Sequence, residues 1–182
     1  MTDVQKPYEI IKDYATGKEI PEVGAEDNRQ LFERFLVEKK GFDKSDIDID
    51  VDIETRAKGE TYRSQVGLVV SVGDIRFMAV KCVAGALQSW EKEIISAARL
   101  LESYQIPYSV VVDGKSAMIW ETFTGKLAGE GMDAVFSKSE AEKLLSSMEL
   151  QPLPEKRRER ESLIFRSYDS MNVNVSRKIP SE

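Results

Sequence analysis

The stretch Tyr62-Arg63-Ser64-Gln65-Val66-Gly67-Leu68-Val69-Val70-Ser71-Val72, then Gly73-Asp74, then Ile75-Arg76-Phe77-Met78-Ala79-Val80-Lys81-Cys82-Val83, decides the fold. Two runs rich in β-branched residues flank a two-residue Gly-Asp link, and that arrangement is a strong signal for a β-hairpin. Gly85 ends the second run.

Working back from the hairpin, Ala57 to Glu60 carries Gly59 and reads as a turn. Before it, Ile47, Ile49, Val51 and Ile53 alternate with Asp48, Asp50, Asp52 and Glu54. Period two predicts a strand over Asp46 to Thr55 with one buried face and one acidic face. Carboxylates strung along a strand diverge, and the glycine-bearing loop of an EF-hand is missing, so this is a solvated edge and not a calcium site. From Ala25 to Lys40, the residues Leu31, Phe32, Phe35 and Leu36 form one stripe of an amphipathic helix. Glu26 and Asp27 suit its positive end, Lys39 and Lys40 its negative end, and Gly41 its stop. The lead-in through Gly24, with Tyr8, Ile10, Ile11, Tyr14 and Thr16-Gly17-Lys18, is a short strand or irregular segment.

Forward of the hairpin, Leu87 to Tyr104 places Trp90, Ile94, Ala97, Ala98, Leu101 and Tyr104 on one helical face. Pro107 opens an apolar strand, Tyr108 to Val112, which Asp113-Gly114 turns into Ala117 to Thr122. Strand, helix, strand predicts a parallel crossover, and a continuous apolar run suits the centre of a sheet. Gly125, Gly129 and Gly131 lack the Gly-Lys-Ser/Thr ending of a phosphate loop and form a turn or short hairpin. Ser137 and Glu140 stand in capping-box spacing, so Ser137 to Glu149 is a helix. Pro152 and Pro154 break the chain before a mixed-charge helix, Glu155 to Tyr168, and the last dozen residues read as disordered. The expected architecture is an α/β domain over residues 1–150, with a central mixed sheet of about five strands flanked by helices. A basic C-terminal helix and tail occupy residues 151–182.

Composition narrows the chemistry. The 182 residues contain no histidine and one cysteine, Cys82. Histidine-dependent triads, disulfide frameworks and cysteine-rich zinc sites are excluded. A net charge of −6 means that any nucleic-acid contact must use a local patch. Met1 to Glu9 holds no apolar signal core, and no run approaches the roughly 18–20 apolar residues of a membrane span. A cytoplasmic location and no membrane partner are expected.

Gly17-Lys18-Glu19-Ile20-Pro21, the helix around Arg29 to Leu36, Tyr62 through Val70, Phe77 through Cys82, and Gln105-Ile106-Pro107 leading to Val110-Val111-Val112-Asp113-Gly114 resemble the N-terminal domain of type I restriction enzyme R subunits. The resemblance spans most of residues 8–150. It implies a restriction-endonuclease-like, PD-(D/E)xK fold with the order helix, strand, hairpin, helix, strand. R subunits of that kind also carry a helicase motor, which 182 residues cannot hold.

In active members of that fold an Asp on the second core strand and a Glu-x-Lys on the third hold magnesium against a phosphate and orient water. Here Gly67 stands at the Asp, and Lys81 and Val83 at the Glu and Lys, with Cys82 between them. A two-residue shift would put Ala79 at the Glu and Lys81 at the Lys, so both carboxylates are missing either way. Residues 79, 81 and 83 share a strand face, so Lys81 points into the site, where its ammonium would repel magnesium.

The implied function is a catalytically inactive nucleic-acid or protein binding module in DNA restriction, defence or nucleic-acid metabolism, with no cofactor. In the nucleic-acid version Lys81 contacts a phosphate, supported by Arg63 and Arg76. In the bland version Lys81 pairs with a neighbouring Glu. The C-terminal helix offers Arg157, Arg158 and Arg160, with Leu163 and Ile164 beside them, as a surface for a protein partner or a second copy. One alternative is a divergent endonuclease using magnesium, with ligands drawn from Glu60, Asp74, Glu91, Glu93, Glu26 or Glu33. Another is a structural homo-oligomer.

Overall fold

The computed structural model describes residues 8–171. Eight strands and four α-helices follow in the order β1 Ile10–Lys12, β2 Glu19–Pro21, α1 Glu26–Lys40, β3 Ile47–Ala57, β4 Glu60–Val72, β5 Ile75–Cys82, α2 Glu91–Leu100, β6 Tyr108–Val112, β7 Ala117–Glu121, β8 Leu127–Glu130, α3 Lys138–Ser147 and α4 Glu155–Met171. The first two strands form a separate hairpin. The other six make one sheet in the order β3-β4-β5-β6-β7-β8, antiparallel except for the β5–β6 pair. This is the expected mixed α/β class, with β8 supplying a sixth strand. The acidic strand β3 lies at an edge, as its charge predicts.

Both turns of the β3–β4–β5 meander form where their glycines stand. Lys58 (φ 50°) and Gly59 (φ 75°) make the first, and Gly73 (φ 57°) opens the second, which closes Val72 on Ile75. Left-handed residues give such turns the twist of the strands they join. Predicted as one helix, Leu87 to Tyr104 instead divides into a 3-10 turn over Leu87–Trp90 and the shorter α2. The Ser137–Glu140 capping box starts α3 as expected. Among the described residues, no helix is long and apolar enough to cross a membrane.

Side chains alternate between the two faces of the sheet. Leu68, Val70, Val80, Val110 and Val112 join Phe32 and Leu36 of α1 and Ala141 of α3. On the other face, Val69, Ala79 and Val111 join Ile94, Ala97 and Ala98 of α2 and Phe165 of α4. Strand β6 is covered on both sides, which accounts for its almost wholly apolar sequence, and its one small polar residue, Ser109, is hydrogen-bonded to Thr122. Helix α4 packs on α2 and β3 rather than standing apart. Its buried side is Glu161, Ser162, Phe165 and Asp169, while Leu163 and Ile164 are only half-buried. The tail read as disordered lies outside the described residues.

Two expectations are corrected. Strand β3 does not have one buried face. Ile47 belongs to the α1 side, whereas Val51 and Ile53 belong to the α2–α4 side. Its partner β4 does the same, with Leu68 on the α1 side and Val66 on the other. The change falls between the pairs Ile49–Leu68 and Val51–Val66, at Asp50, whose φ is 52°. A left-handed residue rotates the peptides that follow, so alternation resumes out of step. Helix α1 is the second correction. Leu31 is 54% exposed, and the buried stripe is Glu26, Arg29, Phe32, Glu33 and Leu36. Charge is tolerated there because it is paired.

Candidate functional site

Leu68 and Val80 are cross-strand partners, and the next residues outward are Gly67 on β4 and Lys81 on β5. Gly67 and Lys81 therefore end up side by side on adjacent strands of the sheet. Gly67 is not strained, and a Cβ built on it would meet nothing within 4 Å. Val83, the third position, is buried among the α2-side residues.

Lys81 does not stand free. Its Nζ donates to Glu93 Oε1 at 2.7 Å and lies 5.1 Å from the centroid of the Trp90 ring. Glu93 comes from the first turn of α2, and its side chain is 4% exposed against 26% for Lys81. A buried carboxylate is thus neutralised by a half-covered ammonium that also rests on an aromatic face. Pairing with a neighbouring Glu is the arrangement observed.

Arg63 and Arg76 are not brought to Lys81. Arg63 binds Glu54 on β3 at 2.8 Å, and Arg76 binds Glu102 at 2.7 Å. Arg76 is five residues down β5 from Lys81, roughly 16 Å at the rise of a strand. On α4, Arg157 and Arg158 are tied to Glu161 and Glu155, while Arg160 is exposed. Cys82 projects to the opposite face from Lys81, and burial pushes its thiol up to about 12, far from a reactive thiolate.

The residues that sequence reasoning missed lie on α1. Asn28 Nδ2 donates to the Val83 carbonyl at 2.7 Å, and Arg29 Nη1 reaches the Gly67 carbonyl at 3.4 Å. Helix α1 therefore holds the backbone at Val83 and Gly67. Arg29 is 2% exposed and sits among four carboxylates. Its Nη1 donates to Asp50 Oδ1 at 3.0 Å and its Nε to Glu26 Oε1 at 2.9 Å. Glu33 and Asp13 stand further off, at 3.6 and 3.7 Å. Burial disfavours the guanidinium charge, but Asp50, Glu26, Glu33 and Asp13 together outweigh it and keep it protonated. Charged residues at positions 26, 29 and 33 share a stripe with Phe32 and Leu36, and that spacing was the available signal.

These residues do not fit a magnesium ion. Gly67 brings no donor, Lys81 brings a positive charge, and Glu93 is already bound to that charge. Glu26 and Glu33 face a guanidinium, and Glu60 is paired with Arg166. Asp74 lies in the hairpin turn. Among the described residues, no three acidic or cysteine side chains are grouped to hold a metal.

A family model described as the N terminus of the type I restriction enzyme R protein matches residues 24–135. That span runs from just before α1 to just before α3. It leaves out the β1–β2 hairpin, which carries part of the resemblance, and both α3 and α4. Searches of curated proteins and of solved structures returned no match.

Proposed function

The chain belongs to the type I restriction enzyme R protein N-terminal family, and from that premise we infer a non-catalytic binding module of a DNA restriction or related nucleic-acid system. One observation carries this reading: the Lys81–Glu93 ion pair, 2.7 Å long, beside Gly67. The resemblance would put the metal-binding carboxylates at Gly67 and at Lys81 or, two residues earlier, Ala79. Neither register leaves a carboxylate at either position, and Lys81 brings a cation to the site in both. The nearest acid, Glu93, is spent on that cation. The order α1, β3, β4–β5, α2, β6 supports a restriction-endonuclease-like core. A phosphate arriving at Lys81 would have to compete with Glu93 for the ammonium.

Titration calorimetry of magnesium and manganese into the protein, alone and with a short DNA duplex, tests the reading. The expected result is no saturable metal binding in either case. Duplex binding without metal, weakening steeply with salt, would assign nucleic acid as the partner. Its absence at low salt would assign a protein. Manganese-dependent cutting that vanishes in Glu93→Gln would overturn the reading and place a relocated acid on α2.

A further inference from the structure

We propose that the turn between β1 and β2 is fastened to α1 by a proton shared between Asp13 and Glu33, and that the fastening opens when this proton leaves.

The β1–β2 hairpin pairs with no strand of the central sheet. It is held by the small apolar anchors Ala15 and Ile20, by Arg34 of α1 and Lys44 over the Tyr14 ring at 4.5 and 4.1 Å, and by hydrogen bonds to α1. Tyr14 N donates to Gln30 Oε1 at 2.7 Å, Ala15 N to Glu33 Oε2 at 3.0 Å, and Gln30 Nε2 to Asp13 Oδ2 at 3.2 Å. The side chains of Asp13 and Glu33 are both fully buried.

Two fully buried carboxylates face each other at this point. Asp13 comes from the turn and Glu33 from α1, with Glu26 of α1, Asp50 of β3, Arg29 and the neutral Cys82 of β5 around them. Arg29 directs its hydrogen bonds to Asp50 and Glu26. Asp13 and Glu33 are the two carboxylates it holds least closely, at 3.7 and 3.6 Å, and a guanidinium committed elsewhere does not neutralise both in a dry interior.

The donors decide which of the pair takes the proton. Asp13 Oδ1 accepts from Thr16 N at 2.8 Å and Thr16 Oγ1 at 2.7 Å. Against its burial, these bonds hold Asp13 below the usual carboxylate range. Glu33 Oε1 has no hydrogen-bond partner among the protein atoms although it is buried. A protonated Glu33 carboxyl supplies the donor for its hydrogen bond with Asp13. Burial first, then the charge and hydrogen bond of Asp13, push Glu33 up to about 8. Losing the proton leaves two ionised carboxylates facing each other, and separation of the turn from α1 relieves them. Opening uncovers Arg29 next to the Gly67 carbonyl.

Amide hydrogen exchange on the full chain, read as protection factors between about pH 6.5 and 9.5, tests this. Tyr14 and Ala15 amides should lose protection at least about tenfold as pH rises through about 8, while β6 amides keep theirs. Glu33→Gln keeps a donor for Asp13 and an acceptor for Ala15, so its protection should be flat with pH. Protection in the unmodified protein that ignores pH, or a Glu33→Gln variant that tracks it, overturns the proposal. The Glu33 carboxyl carbon shift supplies a second reading that needs no variant. Titration of that carbon near the ordinary glutamate value also overturns the proposal.

Discussion

Arg29 and Asp50 meet at 3.0 Å between α1 and β3, at the point where the β3–β4 pair changes faces. The guanidinium that binds the Asp50 carboxylate also reaches the Gly67 carbonyl on the partner strand. One buried side chain thus bridges the helix, the left-handed residue of the edge strand and the strand position beside Lys81. Removing it takes the guanidinium away from Asp13, Glu26 and Asp50. Arg29→Met should cost about 3–5 kcal/mol, the usual loss when one partner of a buried ion pair goes. Urea unfolding checks this. A loss below about 1 kcal/mol would mean that the cluster is not what holds the crossover.

Gly67 is held neither by crowding nor by a left-handed backbone. Gly67→Ala should therefore stabilise the protein by about 0.4–1 kcal/mol through the unfolded chain. Gly67→Asp should still fold. Thermal unfolding of both variants is the measurement, and a destabilised alanine variant would reveal a constraint on this glycine that the packing does not show.

Lys81→Met leaves Glu93 buried with its cation gone. The expected loss is about 2–3 kcal/mol, with the lower part of the buried-pair range applying because Lys81 is partly exposed. Lys81→Met combined with Glu93→Leu should recover most of it, as removal of both charges leaves neither member of the pair buried without the other. A double-mutant cycle in urea measures the coupling.

Helix α4 contributes Phe165 to the α2-side core and Glu161 to Arg99 at 2.9 Å and Ser96 at 3.1 Å. Phe165→Ala should cost about 3–5 kcal/mol. Deleting residues 152–182 should yield an unstable chain, not the well-folded monomer expected if α4 were only a dimer interface. Circular dichroism and sizing of the truncated chain decide between the two.

Glu33 also shapes the dependence of stability on pH. Its folded value near 8 lies above the ordinary 4.5. Between those values the unfolded chain has released a proton that the folded chain retains, so stability falls as pH rises. Its contribution is complete below about 4.5 and gone above about 8. Glu33→Gln should flatten the urea midpoint over that window. Asp13 acts in the opposite sense, adding stability that is lost only as pH falls below its ordinary value of 3.8.

Local sequence by itself determined the elements. The β4–β5 hairpin follows from Gly73-Asp74 between β-branched runs, the α3 start from Ser137 and Glu140, and the buried place of β6 from its almost wholly apolar run. Each of these rests on backbone conformation or on burial averaged over a few neighbours, and both are written in adjacent residues. That positions 67 and 81 carry glycine and lysine and no carboxylate was equally legible, because residue identity needs no structure to establish it. Only the tertiary structure decided where the charges went. Glu93 meets Lys81 from twelve positions away in the chain, Asp50 meets Arg29 across 21, and Asp13 approaches Glu33 across 20. Such partners are chosen by the packing of α1 and α2 on opposite faces of the sheet. The face change at Asp50 was hidden for the same reason. Its alternation reads as regular along the chain, and only the helices covering each face show that Ile47 and Ile53 are buried on different sides.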